Sequence, residues 1–213
     1  MKNLQYYLTV IPAALIAITF HEMSHAYTAY LLGDPTAKSR GRLSLNPLSH
    51  LDPIGFICMV FVGFGWAKPV PIDPRYFKKP KLGMAITALA GPVSNFLMGF
   101  AAILIYVFVT LSQPGRVLAA MAAFFRVFAS LNVGLAVFNL LPVPPLDGSK
   151  ILFLFLPNRA VAWFYRYEGY IRLGLLLCLY LGFMDGIIGW GQNMVYRFFI
   201  NRSLDLASLV GLL

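Results

Sequence analysis

Long apolar runs alternate with short polar, proline-bearing stretches along the chain. The first run, Leu4 to Leu32, is long enough to cross a bilayer, which takes about 20 helical residues. A polar stretch from Gly33 to Pro53 follows. Ile54 to Trp66 is apolar but holds only 13 residues, three of them the glycines Gly55, Gly63 and Gly65. As a helix it would reach about 20 Å, short of a hydrocarbon core of about 30 Å. It therefore reads as a re-entrant segment or hairpin. Ala67 to Lys81 is rich in proline and lysine, which favours extended backbone. Leu82 to Leu111 predicts a spanning helix with a kink at Gly91-Pro92, and Val117 to Leu141 predicts another. Ile151 to Leu156 is too short to span. Ile171 to Trp190 is the last candidate span, weakened by Arg172 and Asp185, and the mixed tail from Gly191 reads as interfacial. The pattern predicts an all-α polytopic membrane protein of about four spanning helices with a re-entrant or hairpin segment near residues 54–66.

Composition agrees. Of 213 residues, 59% are hydrophobic and 12% charged, and the mean hydropathy is +0.73. Soluble domains carry about 25% charged residues. This excludes a disordered chain and argues against a disulfide scaffold or an ordinary water-soluble enzyme. Cys58 and Cys178 both sit inside apolar segments, so neither a disulfide framework nor a CxxC metal site is indicated. The first run continues well past signal-peptide length without a small-residue cleavage site, so it reads as a retained helix. The net charge of +9 comes mostly from residues between the apolar runs. Anionic headgroups and the positive-inside rule account for it better than nucleic acid does, and no aromatic-plus-basic strip is present.

The first run carries chemistry. Residues 21–25 read His21-Glu22-Met23-Ser24-His25. Positions i and i+4 share a helix face, so both imidazoles can reach one zinc ion, with Glu22 beside them as general base. The alternative is a set of polar residues that pair with one another. Inside lipid that alternative loses weight, because a charge near the bilayer centre costs about 2.5–3.5 kcal/mol on insertion scales. A catalytic zinc takes three protein ligands and keeps one position open. Candidates for the third are His50, Asp52, Asp147, Glu168 and Asp185. Asp147 alone follows a spanning helix within an irregular segment, Pro142 to Gly148, although Asp147-Gly148 also suits a plain turn.

Topology gives a further test. The two histidines lie near the C-terminal end of the first span, and Asp147 lies beyond the C-terminal end of Val117–Leu141. They meet only if those helices run in the same direction, which allows one crossing between them and not two. Leu82–Leu111 supplies that crossing, so Ile54–Trp66 must dip and return. Charge votes the same way. With a re-entrant segment, Lys38, Arg40, Arg42, Lys68, Arg75, Lys78, Lys79, Lys81, Lys150, Arg159, Arg166 and Arg172 share one side, 12 of the 17 basic residues. Positive-inside makes that side cytoplasmic, and the site opens toward it.

The motifs also match a known family. HEMSH, GPVSN at Gly91–Asn95 and NLLPVPPLDG at Asn139–Gly148 resemble the site-2 proteases, intramembrane zinc metalloproteases. GRLSLNPLSHLDPIG (Gly41–Gly55) and GWAKPVPI (Gly65–Ile72) resemble their compact prokaryotic branch. The resemblance covers roughly residues 10–150. It implies that His21, His25 and Asp147 ligate one zinc ion per chain and that Glu22 activates water. It gives Asn139 the role of orienting the substrate carbonyl or stabilising the oxyanion, with a helix-end cap or an interhelical bond as the alternative. Asn95 reads as structural, bonding across helices, and His50 as an interfacial, solvated histidine. The expected organisation is a single membrane-embedded domain over 1–213, with a core at 4–157, a C-terminal helix and tail at 158–213, and no PDZ or CBS domain. The expected setting is a prokaryotic inner membrane.

The expected reaction is hydrolysis of a peptide bond in or near a transmembrane segment of another protein, with lipid and that substrate as partners and no nucleic acid. The resemblance points to membrane-held regulators of transcription as substrates, and so to regulated intramembrane proteolysis. Trp66–Pro74 either offers extended backbone to an unwound substrate or is a surface linker. Two other classes stand beside this one. A zinc transporter would use the same ligands but gives Glu22 no purpose, and a catalytically silent scaffold would need neither.

Overall fold

The computed structural model describes residues 4–61, 65–112, 115–209 and 211. Three helices are long and apolar enough to cross a membrane: α1 (Leu4–Leu31), α4 (Pro80–Leu111) and α5 (Arg116–Asn139). With no strand among the described residues, the chain is an all-α polytopic membrane protein. The three helices pack against one another through small residues. Ala13 and Ala17 of α1, Ala102 of α4 and Ala129 of α5 are all buried around Ile103, Val107 and Phe128. Lipid tails are as apolar as leucine, so helices in a bilayer associate by close backbone approach, which alanine permits. As predicted, the run that holds Gly91-Pro92 is one spanning-length helix, since α4 runs through Pro92.

Between α1 and α4 lie the short α2 (Thr36–Ser39) and α3 (Pro53–Phe61). Leu51 pairs with Ala67 in an antiparallel bridge, and the Lys68 N–H donates to the His50 carbonyl at 2.9 Å. The chain that leaves at residue 52 is therefore back beside its own start by residue 67. This is a hairpin, as the length of the run requires, although residues 62–64 of that run lie outside the described ones. The nine residues of α3 rise about 14 Å, under half the hydrocarbon thickness. A glycine closes the neck: a Cβ on Gly55 would overlap the backbone carbonyl of Trp66.

After α5 come α6 (Asp147–Phe155), α7 (Asn158–Arg166), α8 (Glu168–Tyr180) and α9 (Asp185–Leu209). Here the structure corrects the sequence. Ile171–Trp190 is not one continuous helix: α8 ends at Tyr180, Gly182 takes a left-handed φ of +75°, and α9 departs at 77° to α8, so a fourth span built from this pair is a broken one. Nor is the stretch after Gly191 a separate tail. Most of it is the body of α9, which packs on α4 and α5. Phe199 meets the rings of Phe96 and Phe100, and Ala207 joins the buried alanine cluster. Tyr196, Phe199, Ile200 and Leu204 recur at helical spacing and line the inner face. Arg197, Asn201 and Arg202 fall between them, which gave the linear sequence its mixed look.

Candidate metal centre

His21 and His25 sit one turn apart on α1, just past the alanine stripe that seats α1 in the bundle. Both are buried. Asp147, the first residue of α6, meets them. His21 Nε2 and His25 Nε2 are 3.0 Å apart, and Asp147 Oδ2 lies 3.1 Å from the first and 3.2 Å from the second. Among the described residues this is the one group of three such side chains placed to hold a metal ion. The carboxylate and the imidazoles reach one level of the bundle, as two helices running in the same direction require.

Hydrogen-bond accounting fixes what the three groups offer. The Nδ1–H of His25 donates to the Thr87 carbonyl at 2.7 Å. A carbonyl only accepts, so the proton of neutral His25 is on Nδ1 and its Nε2 carries a bare lone pair. The Nδ1–H of His21 donates to Asn95 Oδ1, with the same consequence. Asp147 Oδ2 is buried and receives no hydrogen bond. With both imidazoles neutral, three lone-pair acceptors thus face one another, a set that a bound cation would complete. Zinc fits: tetrahedral ligands at about 2.0–2.2 Å from the metal lie about 3.4 Å from each other, within a few tenths of an ångström of the distances found. Each histidine is held through its other ring nitrogen, as metal-binding histidines ordinarily are.

Room for the two rings comes from Gly91. A Cβ there would overlap atoms of both His25 and His21. Asp147 is the most exposed member, with its side chain 21% accessible against 9% and 7% for the histidines, so the centre is least covered on the α6 side. Glu22 is half-buried on the same turn of α1.

The other candidates lie elsewhere. Asp52 Oδ1 accepts from the Gly55 N–H at the start of α3, while Glu168 and Asp185 open α8 and α9. Asn139 ends α5, and its amide donates to the Leu135 carbonyl one turn back. His50 corrects the sequence reading. It is fully buried, not solvated, with Nε2–H donating to Ser44 O at 2.7 Å and Nδ1 facing Arg42 Nη2 at 3.5 Å. Arg42 is itself buried, and its Nη2 donates to Lys68 O. Burial lowers the Arg42 pKa from its ordinary value, and the charge of Glu22 acts in the opposite direction.

Sequence reasoning missed Asn132, Thr87, Gly91 and Arg42. Asn132 had a usable signal: it lies seven residues before Asn139 on the same face of an apolar helix, where an amide needs a partner across helices. Thr87 acts through its backbone and gave none.

The comparisons with known proteins point to a zinc metalloprotease. The model of peptidase family M50 matches residues 108–181, which include Asp147. The chain is 42% identical to "Putative zinc metalloprotease YwhC" of Bacillus subtilis, over 93% of this chain and 95% of that protein. It is 30% identical to "Putative zinc metalloprotease Rip2" of Mycobacterium tuberculosis strain H37Rv, over 91% of this chain and 73% of that protein. No solved structure matches significantly. The chain belongs to peptidase family M50, the site-2 protease family of membrane zinc metalloproteases.

Proposed function

We propose that the protein is an intramembrane zinc endopeptidase, one zinc ion per chain, that hydrolyses peptide bonds in or near transmembrane segments of other membrane proteins. The observation that carries this is the convergence of three acceptor atoms from His21, His25 and Asp147 amid apolar helices, with a carboxylate, Glu22, next in sequence to the first. His21, His25 and Asp147 would hold the metal. Zinc when bound supplies Lewis acidity and makes nearby water a stronger acid. Glu22 takes a proton from the attacking water and delivers it to the leaving amine nitrogen. Asn139, free to turn its amide away from Leu135, orients the substrate carbonyl. The bundle excludes bulk water from the histidine side, and water enters past Asp147, from the side that carries most of the basic residues. That side is the cytoplasmic one by the positive-inside rule, in a cell membrane. The chain works as a single membrane-embedded domain, with a transmembrane protein as substrate in regulated intramembrane proteolysis.

The test uses purified protein and β-casein as a general polypeptide probe. Wild type binds zinc and cleaves, Glu22→Gln binds zinc and does not cleave, and Asp147→Ala loses zinc. Cleavage retained by Glu22→Gln overturns the role given to Glu22. Zinc movement across vesicles that survives Glu22→Gln, with no cleavage by wild type, would establish a transporter instead.

A further inference from the structure

Behind His21 a line of buried amides crosses all three long helices. His21 Nδ1–H on α1 donates to Asn95 Oδ1 on α4. Asn95 Nδ2 donates to Asn132 Oδ1 on α5 at 2.8 Å, and Asn132 Nδ2 donates to the Phe128 carbonyl at 2.8 Å. Asn95 and Asn132 are both 0% exposed.

The line has a direction, and its far end sets it. The Phe128 carbonyl can only accept, so Asn132 must turn Nδ2 toward it and Oδ1 toward Asn95. Asn95 must then turn Nδ2 toward Asn132, which leaves Oδ1 for His21. An amide oxygen only accepts, so the proton of His21 is fixed on Nδ1 and the lone pair of Nε2 faces Asp147. The Ala17 carbonyl favours the same Asn95 orientation, but at 3.3 Å it is the weaker anchor. Without the α5 end, the Asn95 amide can turn over and present N–H to His21 Nδ1. The proton then moves to Nε2, and a protonated nitrogen cannot ligate a metal.

We infer that Asn132 is a positioning residue for the metal centre: through Asn95 it sets the tautomer of His21 and so the zinc affinity. The inference rests on the reading of His21, His25 and Asp147 as zinc ligands. It explains why an amide with no route to substrate is buried in the middle of an apolar helix, where a lone polar group is costly unless bonded.

The test is zinc affinity, measured by chelator competition on the full chain in detergent. Asn132→Leu removes the acceptor at similar volume and should weaken zinc about 10–100-fold, the range for lost outer partners of metal ligands. Asn132→Asp, kept neutral by its apolar surroundings, retains an oxygen facing Asn95 and an O–H for the Phe128 carbonyl, and should bind as wild type does. Leucine at 95 has no amide to turn over toward His21. In an Asn95→Leu background, adding Asn132→Leu should therefore leave zinc affinity unchanged. Wild-type affinity in Asn132→Leu, or an equal loss in both backgrounds, overturns the inference, since a purely structural residue costs the same in each. If Asn95→Leu does not fold, the contrast between Asn132→Leu and Asn132→Asp decides. Wild-type protein that takes up no zinc overturns the ligand reading first, and this inference with it.

Discussion

Gly91 of α4 stands against the imidazole of His25 of α1 with no space for a methyl group between them. The same missing side chain leaves room for His21. The rings are already pinned through their Nδ1 atoms to Asn95 and Thr87 on α4, so neither can swing aside cheaply. Gly91→Ala should therefore weaken zinc binding at least about tenfold, as misplaced ligands do. Metal analysis of the purified variant checks this. Full zinc content would show that the rings have slack the structure does not show.

Removing the metal should loosen the fold. Without a cation, three lone-pair acceptors meet at 3.0–3.2 Å. Ligand linkage gives about 2.7 kcal/mol of stabilisation when free zinc is at 100 times its Kd. EDTA treatment should lower Tm and added zinc should restore it, in wild type and in Glu22→Gln alike. Asp147→Ala should show little response to either.

The knot at the hairpin neck should matter for stability and not for metal. His50→Ala removes the donor to Ser44 O and the acceptor facing Arg42. Leaving buried polar groups unmatched costs about 1–3 kcal/mol each. Thermal unfolding should fall accordingly while zinc per folded chain stays at the wild-type value. Zinc loss at unchanged Tm would place His50 in the centre instead.

Neck closure offers a sharper test of the hairpin. Gly55→Ala puts a Cβ into the Trp66 carbonyl, and backbone cannot yield as a flexible side chain does. Overpacking of this kind costs about 1–3 kcal/mol. Tm should drop, and proteolysis near residues 52–67 should accelerate. An unchanged melting curve would mean that the two arms are not held together as described.

Side-specific labelling checks the topology. With Cys58 and Cys178 replaced by serine, single cysteines at Arg40 and Lys68 should react with an impermeant maleimide from one face of the membrane. A cysteine at Arg116 should react from the other. Labelling of 40 and 68 from opposite faces would make the 54–66 run a crossing.

Much of the centre was legible in the residues because its chemistry is local. His21, Glu22 and His25 declare themselves by helical spacing in an apolar run, and Asp147 by its place in the irregular segment that follows a spanning helix. The hairpin was legible because Ile54–Trp66 is too short to cross. Three things were not. The break before α9 depends on the left-handed Gly182, and a glycine in an apolar run looks the same whether it bends the chain or not. The inner face of α9 was masked by the arginines that alternate with it. The burial of His50 depends on Arg42 and Ser44 folding over it, a tertiary arrangement with no periodic trace.

The order in which the ligands are synthesised has a consequence. His21 and His25 emerge with the first helix, but the carboxylate that completes the set belongs to α6 and is added only after α4 and α5. A nascent or truncated chain that stops before Asp147 holds two imidazoles and no finished cutting centre. Translation order thus makes the three-acceptor set the last part of the long-helix bundle to be completed.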